Sequence, residues 1–354
     1  MKFAFLCKER KSVSGFRIAV VGSGAAGLSA AGYLVCRGHD VEFYEKLPLP
    51  GGLMTFAIPK SRIPLESVME GVEDLERNFS VKFNLGVKVC CSDTDEGDHL
   101  SKSRVSLSEL SKDYDAVLIA TGTWRSRKLN LEGEDSANVL SAIDYLMRLH
   151  SDMLGIGEPL RNLERVVVIG GGLSAVDAAE ESINVGASEV YLVYRRTISE
   201  APAGEWEVRR LISRGVRWVE LAAPKRILAE GSLAKGVEFL RMRLGEPDET
   251  GRPRPVPIEG SEFTIEADMI VKAIGELPTP PASEELSKFL DEAGRLRVNG
   301  NFNIPGTNLF AAGDVVSGPS KIGRAVKQGL NAAKKIDELL AKGKVRRYEH
   351  GGAC

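Results

Sequence analysis

The sequence has few of the residues that build metal sites and redox disulfides, and it has no excess of positive charge. Its 354 residues include only five cysteines and four histidines, and no two cysteines form a Cys-x-x-Cys pair. Nothing therefore indicates a redox disulfide of the thioredoxin reductase kind, an iron–sulfur cluster or a zinc site. Basic residues (47) nearly balance acidic residues (49), so neither nucleic acid nor an anionic membrane is indicated as a partner.

The cysteines that are present are not expected to react. Cys90 and Cys91 are adjacent at the end of an apparent strand, and a disulfide between such neighbours would be strained, which favours free thiols. Cys36 falls on an apolar helix face and is expected to lie in the core. We predict no metal site.

Long apolar runs are also scarce, and the one that resembles a membrane span covers residues 18–36. Its four glycines and the charged strand that follows fit a soluble strand and helix better than a span. The 17 residues before this run contain five basic residues but no separate apolar stretch, so no cleavable signal is visible. We predict a cytoplasmic protein.

A glycine-rich turn, Gly22-Ser-Gly24-Ala-Ala-Gly27, closes the apolar strand IAVV (18–21) and leads into a helical segment. Strand, tight turn and helix in this order place backbone N–H groups and a helix N-terminus against a pyrophosphate. The next strand ends in Glu45, a carboxylate that can accept both hydroxyls of an adenosine ribose. This unit is predicted to bind FAD or NAD.

A second turn of the same kind, Gly170-Gly-Gly172-Leu-Ser-Ala175, follows the strand VVVIG (166–170). Its second strand ends in Arg195 and Arg196, where the first unit has an acid. Guanidinium groups suit a ribose 2′-phosphate, so NADPH is the favoured ligand and NADH the alternative. A solvated surface pair of arginines is the competing interpretation.

The order of segments predicts an α/β protein with parallel sheets, in which one nucleotide-binding domain is inserted into the other. We predict an N-terminal extension (1–15), a discontinuous FAD-binding domain (16–124 and 277–342), an NAD(P)H-binding domain (125–276) and a C-terminal tail (343–354). The last part, from 277, is too short to form a domain alone, so it should complete the first one.

Eight segments in order resemble one family: GSGAAG, YEK, PGGLMTFAIP (50–59), ATG, VVVIGGGLSAVD, YRR, AIG and AAGD. The chain is similar to the small (beta) subunit of glutamate synthase and to related NAD(P)H-dependent flavin oxidoreductases. The resemblance implies two Rossmann-like, doubly wound, three-layer domains, with FAD in the discontinuous domain and NAD(P)H in the insert. PGGLMTFAIP is the most specific segment, because it marks this branch of the family.

The resemblance also implies site residues. Glu45 would bind the adenosine ribose, Asp314 the ribitol, and the helix start at Lys321 the flavin pyrimidine. The full set implied for FAD is Gly22, Gly24, Ala26, Gly27, Glu45, Lys46, Gly52, Leu53, Met54, Ile58, Val89, Ala120, Thr121, Gly122, Gly313, Asp314, Lys321, Ile322 and Gly323.

A second set is implied for NAD(P)H: Gly170, Gly172, Leu173, Ser174, Ala175, Arg195, Arg196, Glu207 and Gly275. Glu207 matches a family glutamate near the nucleotide, although an exposed helical charge explains it equally well. No acid or base is predicted, because hydride transfer between nicotinamide and flavin needs alignment more than proton transfer.

The chain departs from the family in lacking the cysteine-rich iron–sulfur domain before the first strand. We therefore expect an oxidoreductase that passes electrons to or from a separate iron–sulfur protein or partner subunit. Two alternatives stay open at this point: a self-contained reductase of a disulfide, quinone or ferredoxin, and a nucleotide-binding subunit without turnover. The oligomeric state and the direction of electron flow are left open.

Overall fold

The computed structural model describes residues 3–7, 9, 11–90, 95–249 and 251–345. The chain separates into two compact units, Met1–Arg125 with Glu276–Cys354, and Ser126–Gly275. These divisions lie one residue from the predicted domain boundaries. Which cofactor each unit binds stays a prediction.

The first part of the chain alternates strands with helices. The β-branched run before the first glycine turn forms a strand buried on both faces, and a Ser106–Glu109 capping box starts the fourth helix. The elements are β1 (Arg17–Val21), α1 (Ala25–Cys36), β2 (Asp40–Glu45), α2 (Leu53–Phe56), α3 (Leu65–Phe79), β3 (Lys82–Leu85), β4 (Val87–Val89), a 3-10 turn (Asp98–Leu100), β5 (Ser103–Val105), α4 (Leu107–Asp113), β6 (Ala116–Ile119) and β7 (Arg125–Ser126).

The second unit repeats the strand, turn and helix order and then adds a run of strands. Its elements are β8 (Val139–Ser141), α5 (Ala142–Met153), β9 (Arg165–Ile169), α6 (Leu173–Asn184), β10 (Glu189–Val193), a 3-10 turn (Ile198–Glu200), α7 (Glu205–Ser213), β11 (Arg217–Val219), β12 (Ala222–Glu230), β13 (Leu233–Pro247), β14 (Pro253–Pro257), β15 (Phe263–Glu266) and β16 (Met269–Lys272).

The chain then returns to the first unit and completes it. This last part contains β17 (Glu276–Leu277), α8 (Glu284–Ser287), β18 (Leu309–Ala311), α9 (Asp314–Ser317) and α10 (Ile322–Ala341).

The first unit is organised around a parallel five-stranded sheet in the order β18-β6-β1-β2-β3. Val21 pairs with Tyr44 of β2 and Ile119 of β6, and Ile119 pairs with Ala311 of β18. The carboxyl ends of these strands therefore share one edge, where open parallel sheets bind ligands. Apolar cores on both faces of the sheet hold that edge in place.

The second unit has its own parallel sheet, in the order β11-β10-β9-β16-β8. The predicted α/β class with parallel sheets is therefore confirmed. The sequence analysis did not predict the antiparallel sheet of β12, β13, β14 and β15, whose long strand β13 pairs with the other three.

The cysteines differ from expectation at the N-terminus. Cys36 was predicted to be a core thiol, but it forms a disulfide with Cys7. The N-terminal segment can approach α1 because Gly32 has no side chain: a Cβ there would lie 2.8 Å from the Phe5 nitrogen. Cys90 is a buried free thiol, and Cys91 lies outside the described residues.

Among the residues that the structure describes, no helix combines the length and the hydropathy that a membrane span requires. The same residues contain no group of three or more His, Cys, Asp and Glu side chains that could hold a metal ion. The predicted cytoplasmic location stays a prediction.

We predict that the disulfide stabilises the first unit. Because a cross-link restricts the unfolded chain, Cys36→Ser should lower the free energy of unfolding by about 3 kcal/mol, measured by urea denaturation. Dithiothreitol should lower the free energy of unfolding of the wild-type protein to that of the variant, and it should leave the free energy of unfolding of the variant unchanged. Equal stability of the two proteins without reductant would contradict the prediction.

Candidate functional site

A cleft lies at the carboxyl edge of the first sheet, with a volume of ≈ 1070 Å³ when the part open to solvent is included. It is built from the loops that follow β1, β2, β6 and β18. Sixteen of the nineteen residues implied for FAD line it, and the three that do not are Gly27, Lys321 and Gly323.

The first glycine turn brings the start of α1 to the cleft. Gly22 has φ +97°, and a Cβ there would lie 2.6 Å from the Ala120 carbonyl oxygen, so no other residue fits. Gly24 is the N-cap of α1 and has no side-chain cap, and no atom lies within 4 Å of the position that a Cβ would take. The free N–H groups and the helix dipole make this end an anion site.

Gly27 shapes the glycine turn. A Cβ there would lie 2.1 Å from the Gly22 carbonyl oxygen, so its hydrogen lets α1 cross directly over the turn. Gly27 does not line the cleft, and its implied contact with a pyrophosphate stays a prediction.

Glu45 is buried, and its carboxylate organises the glycine turn. Oε2 accepts hydrogen bonds from Ser23 N–H (2.8 Å) and Ser23 Oγ–H (2.7 Å), and Oε1 accepts one from Leu47 N–H (2.9 Å). A carboxylate has about four acceptor positions, so one stays available, which narrows the prediction from both ribose hydroxyls to one. The sequence analysis missed Ser23, whose signal was its place between Gly22 and Gly24.

The Gly51-Gly52 turn is tied to the same loop. Gly51 N–H donates to the Ser23 carbonyl (3.2 Å) and to Ser23 Oγ (3.1 Å). Gly52 has φ +55°, and a Cβ there would lie 3.2 Å from Gly24 Cα. The two glycines thus place the segment that begins α2, with Leu53 and Met54, along the cleft wall.

Asp314 begins α9 at the end of β18 and faces the cleft. Its carboxylate accepts hydrogen bonds from Ser320 Oγ–H (2.5 Å) and Ser320 N–H (3.2 Å). Burial raises the pKa of this carboxyl above its usual value, although the Ser320 hydrogen bonds oppose the shift.

The start of α10 forms a second helix N-terminus beside this acid. Its N-cap Lys321 makes no side-chain cap, and Ile322 lines the cleft. Lys321 and Gly323 lie outside the lining, so only their backbone N–H groups remain candidates for the implied flavin contact.

The second unit repeats the geometry of the glycine turn. Gly170 has φ +153°, and a Cβ there would lie 2.2 Å from the Ala273 carbonyl oxygen. Gly172 is the N-cap of α6, without a side-chain cap and with open space around a Cβ position. Of the residues that follow, Leu173 and Ser174 are partly exposed, whereas Ala175 is fully buried.

The two arginines after β10 are not equivalent. Arg195 is exposed, whereas Arg196 is 2% exposed. Arg196 Nε donates to the Pro253 carbonyl (2.7 Å) and Nη2 to Asp248 Oδ2 (2.8 Å). The predicted pair is therefore revised: Arg196 anchors the β13–β14 hairpin, and Arg195 remains the candidate for a 2′-phosphate.

The other two residues implied for NAD(P)H occupy ordinary positions. Glu207 lies in the first turn of α7 and forms an ion pair with Arg210 (3.2 Å). Gly275 has φ +111° after β16, with the Arg127 side chain 3.6 Å from a Cβ position. Neither observation distinguishes a nucleotide contact from a structural role.

The residues present fit the predicted flavin nucleotide. One cleft combines two uncapped helix N-termini, a tight glycine turn and two carboxylates, Glu45 and Asp314. Anions are favoured at the helix ends and hydroxyl groups at the carboxylates. The cleft thus offers separate positions for the pyrophosphate, the ribose and the ribitol of FAD.

Comparison with known proteins agrees with this geometry. Residues 16–329 match the pyridine nucleotide-disulphide oxidoreductase family. The chain belongs to this family. Within this family, the chain is related to the small chains of NADPH glutamate synthase. The small chain from Halomonas elongata is 34% identical to it, over 92% of this chain and 68% of the Halomonas protein.

Membership of the family confirms three predictions: the flavoprotein oxidoreductase class, the pairing of FAD with a nicotinamide dinucleotide, and the relationship to glutamate synthase small chains. Other relatives are longer than the glutamate synthase small chain. The chain is 37% identical to the NADP(+)-dependent formate dehydrogenase subunit beta of Moorella thermoacetica, over 93% of its own length and 45% of that relative. The chain thus spans about half the length of such relatives.

Solved structures show the same fold at lower identity. FprA from Mycobacterium tuberculosis superposes with a TM-score of 0.72 at 22% identity, over 94% of this chain and 87% of FprA. Thioredoxin reductase from Lactococcus lactis superposes with a TM-score of 0.67 at 21% identity, over 92% and 99% of the two chains.

We predict that Asp314 destabilises the flavin-free protein at neutral pH. Because its pKa is raised in the folded protein, folding favours the protonated carboxyl. The contribution of this group to the free energy of unfolding is complete below the ordinary pKa of 3.8 and is lost as the pH rises through the pKa of the folded protein. Asp314→Asn should therefore raise the Tm of flavin-free protein at about pH 7, with the difference vanishing near pH 4. An equal difference at both pH values would contradict this.

We also predict that the two arginines affect different properties. Arg195→Gln should raise the KM for NADPH by about 10-fold or more and leave that for NADH unchanged, since a charged hydrogen bond is lost. Arg196→Gln and its partner variant Asp248→Asn should both lower the Tm without changing the preference for NADPH. A selective rise in the KM for NADPH in Arg196→Gln, absent from Asp248→Asn, would show that Arg196 binds the 2′-phosphate.

Proposed function

We propose that this protein transfers electrons between NADPH and a separate iron–sulfur protein or partner subunit through bound FAD. The observation that carries the proposal is the pair of glycine turns, each leading to an uncapped helix at the carboxyl edge of its own parallel sheet. The turn at Gly24 opens on a cleft suited to FAD. The turn at Gly172 is followed by the exposed Arg195, which suits NADPH over NADH.

The chemistry that FAD supplies when bound is hydride exchange with a nicotinamide ring and release of the two electrons one at a time. The chain's own residues hold and polarise the cofactor. Gly22, Gly24 and the start of α1 would bind the pyrophosphate, and Glu45 the adenosine ribose. Asp314 would accept a hydrogen bond from the ribitol, and the N-terminus of α10 would stabilise negative charge on the reduced ring.

A separate electron partner is favoured by what the relatives are called. Two similar proteins carry subunit names, the formate dehydrogenase subunit beta above and the NADPH-Fe(3+) oxidoreductase subunit beta of Geobacter sulfurreducens, 34% identical over 93% of this chain and half of the relative. A subunit name means that each works together with another chain, which suits an electron partner outside this one. The described residues of this chain contain no metal-binding cluster of their own.

Two glycine variants test the proposal, because alanine fits both positions in the protein itself. Gly24 and Gly172 have negative φ and no atom within 4 Å of a Cβ position. Only a closely bound phosphate should therefore oppose the added methyl group. We expect Gly24→Ala to weaken FAD binding and Gly172→Ala to raise the KM for NADPH, each by about 10-fold, with unchanged circular dichroism.

Each variant serves as the control for the other. In the original protein, NADPH should bleach the flavin absorbance under anaerobic conditions, and a low-potential iron–sulfur protein such as ferredoxin should reoxidise it. A protein that binds FAD but is not bleached by either nucleotide would support a subunit without turnover. Reduction of a disulfide or a quinone in preference to any iron–sulfur protein would support the self-contained reductase instead.

A further inference from the structure

Trp124 forms part of the cleft wall and belongs to none of the eight sequence segments. It lies five residues after the end of β6 and is 7% exposed. A tryptophan buried to this extent usually gives its indole N–H a hydrogen-bond acceptor. Among the described residues no atom accepts from Trp124 Nε1–H, and they do not enclose the nitrogen, so this donor is available to a ligand in the cleft that Trp124 lines.

The indole is fixed in position by its neighbours. The Trp124 backbone N–H donates to Thr279 Oγ1 (3.2 Å), and its carbonyl accepts from Glu96 N–H (2.7 Å). The Lys46 ammonium lies 4.5 Å from the ring centroid, within range of a cation–π interaction. A donor held in this way loses little freedom when it binds a ligand.

Lys46 is held over the ring by opposite charges. Its Nζ donates to the Glu96 carbonyl (2.6 Å) and to Asp98 Oδ1 (3.1 Å), while Lys88 donates to the other oxygen of Asp98 and to Asp95. Burial lowers the pKa of Lys46. Burial alone would raise the pKa of Asp98, but the two lysines outweigh it and hold the pKa of that carboxyl below its usual value. Both lysines are therefore committed to aspartates, which makes Lys46 a support for the indole and a weak candidate for a phosphate ligand.

The place of Trp124 along the cleft indicates which part of FAD it meets. Asp314 and the start of α10 mark the flavin side, and the start of α1 marks the pyrophosphate. Lys46, which touches the indole, directly follows Glu45, the candidate for the adenosine ribose. We infer that the Trp124 indole N–H donates a hydrogen bond to the adenosine half of FAD, an inference that rests on the proposed function.

The test compares two flavins that share the isoalloxazine and differ in the adenosine. Trp124→Phe keeps an aromatic ring beside Lys46 and removes the N–H donor together with the five-membered ring that carries it. Flavin-free protein is titrated with FAD and, separately, with FMN, which lacks the adenosine. We expect the Kd for FAD to rise about fivefold in the variant, as for one lost hydrogen bond, and the Kd for FMN to stay unchanged.

Fluorescence gives a second measurement, because the chain has only three tryptophans. FAD binding should quench Trp124 emission, and the quenched component should be absent from Trp124→Phe. Trp206→Phe is the matched control, since Trp206 is 70% exposed and belongs to the other unit. This control should keep both the quenching and the original Kd for FAD.

The possible failures can be told apart. An unchanged Kd for FAD in Trp124→Phe would overturn the inference and leave the proposed function intact. Equal rises in the Kd for FAD and FMN would also overturn it, because Trp124 would then support the cleft as a whole. An original protein that binds no FAD would refute the inference and the proposed function together.

Discussion

Both units depend on a backbone crossing that leaves no room for a side chain. In the first unit a Cβ on Gly22 would lie 2.6 Å from the Ala120 carbonyl oxygen, and in the second a Cβ on Gly170 would lie 2.2 Å from that of Ala273. Each crossing joins the turn after the central strand of a sheet, β1 or β9, to the end of a neighbouring strand. Because both partners are backbone, the contact sets how near a helix N-terminus can stand to the sheet edge.

Around this shared crossing the two units differ at the ends of the strands that follow, β2 and β10. Glu45 folds back on the first turn and receives two hydrogen bonds from Ser23, so the acid is part of the turn as well as the proposed ribose acceptor. In the second unit the corresponding region carries Arg195 and Arg196, of which only Arg195 is exposed. One backbone design would thus serve two nucleotides through a few side chains at one strand end.

The parts that sequence could predict are those determined by neighbours in the chain. Strand, glycine turn and helix are local, so the α/β class, both turns and Glu45 followed from the sequence pattern. Most of the remaining cleft lining was implied by the family resemblance. The revised roles depend on distant segments. Arg196 donates hydrogen bonds to Asp248 and Pro253, more than fifty residues away. Cys36 forms a disulfide with Cys7, whose segment can approach α1 because Gly32 has no side chain. Trp124 escaped notice because only the folded cleft shows that its indole N–H has no acceptor among the described residues.

The arrangement of α1 and α10 has an electrostatic consequence. Both helices begin at the cleft without a side-chain cap, and they lie side by side: a Cβ on Gly329 would be 2.1 Å from the Ala26 carbonyl, and Arg37, just beyond α1, pairs with Asp337 near the end of α10. The helices therefore run in the same direction, and their like-signed dipole ends repel each other. At the C-terminal ends, which carry negative partial charge, the guanidinium of Arg37 is favourable and is held in place by Asp337. At the N-terminal ends, which carry positive partial charge, a bound anion would play the matching part, so a dinucleotide in the cleft would be a counterion for both helices as well as a redox group.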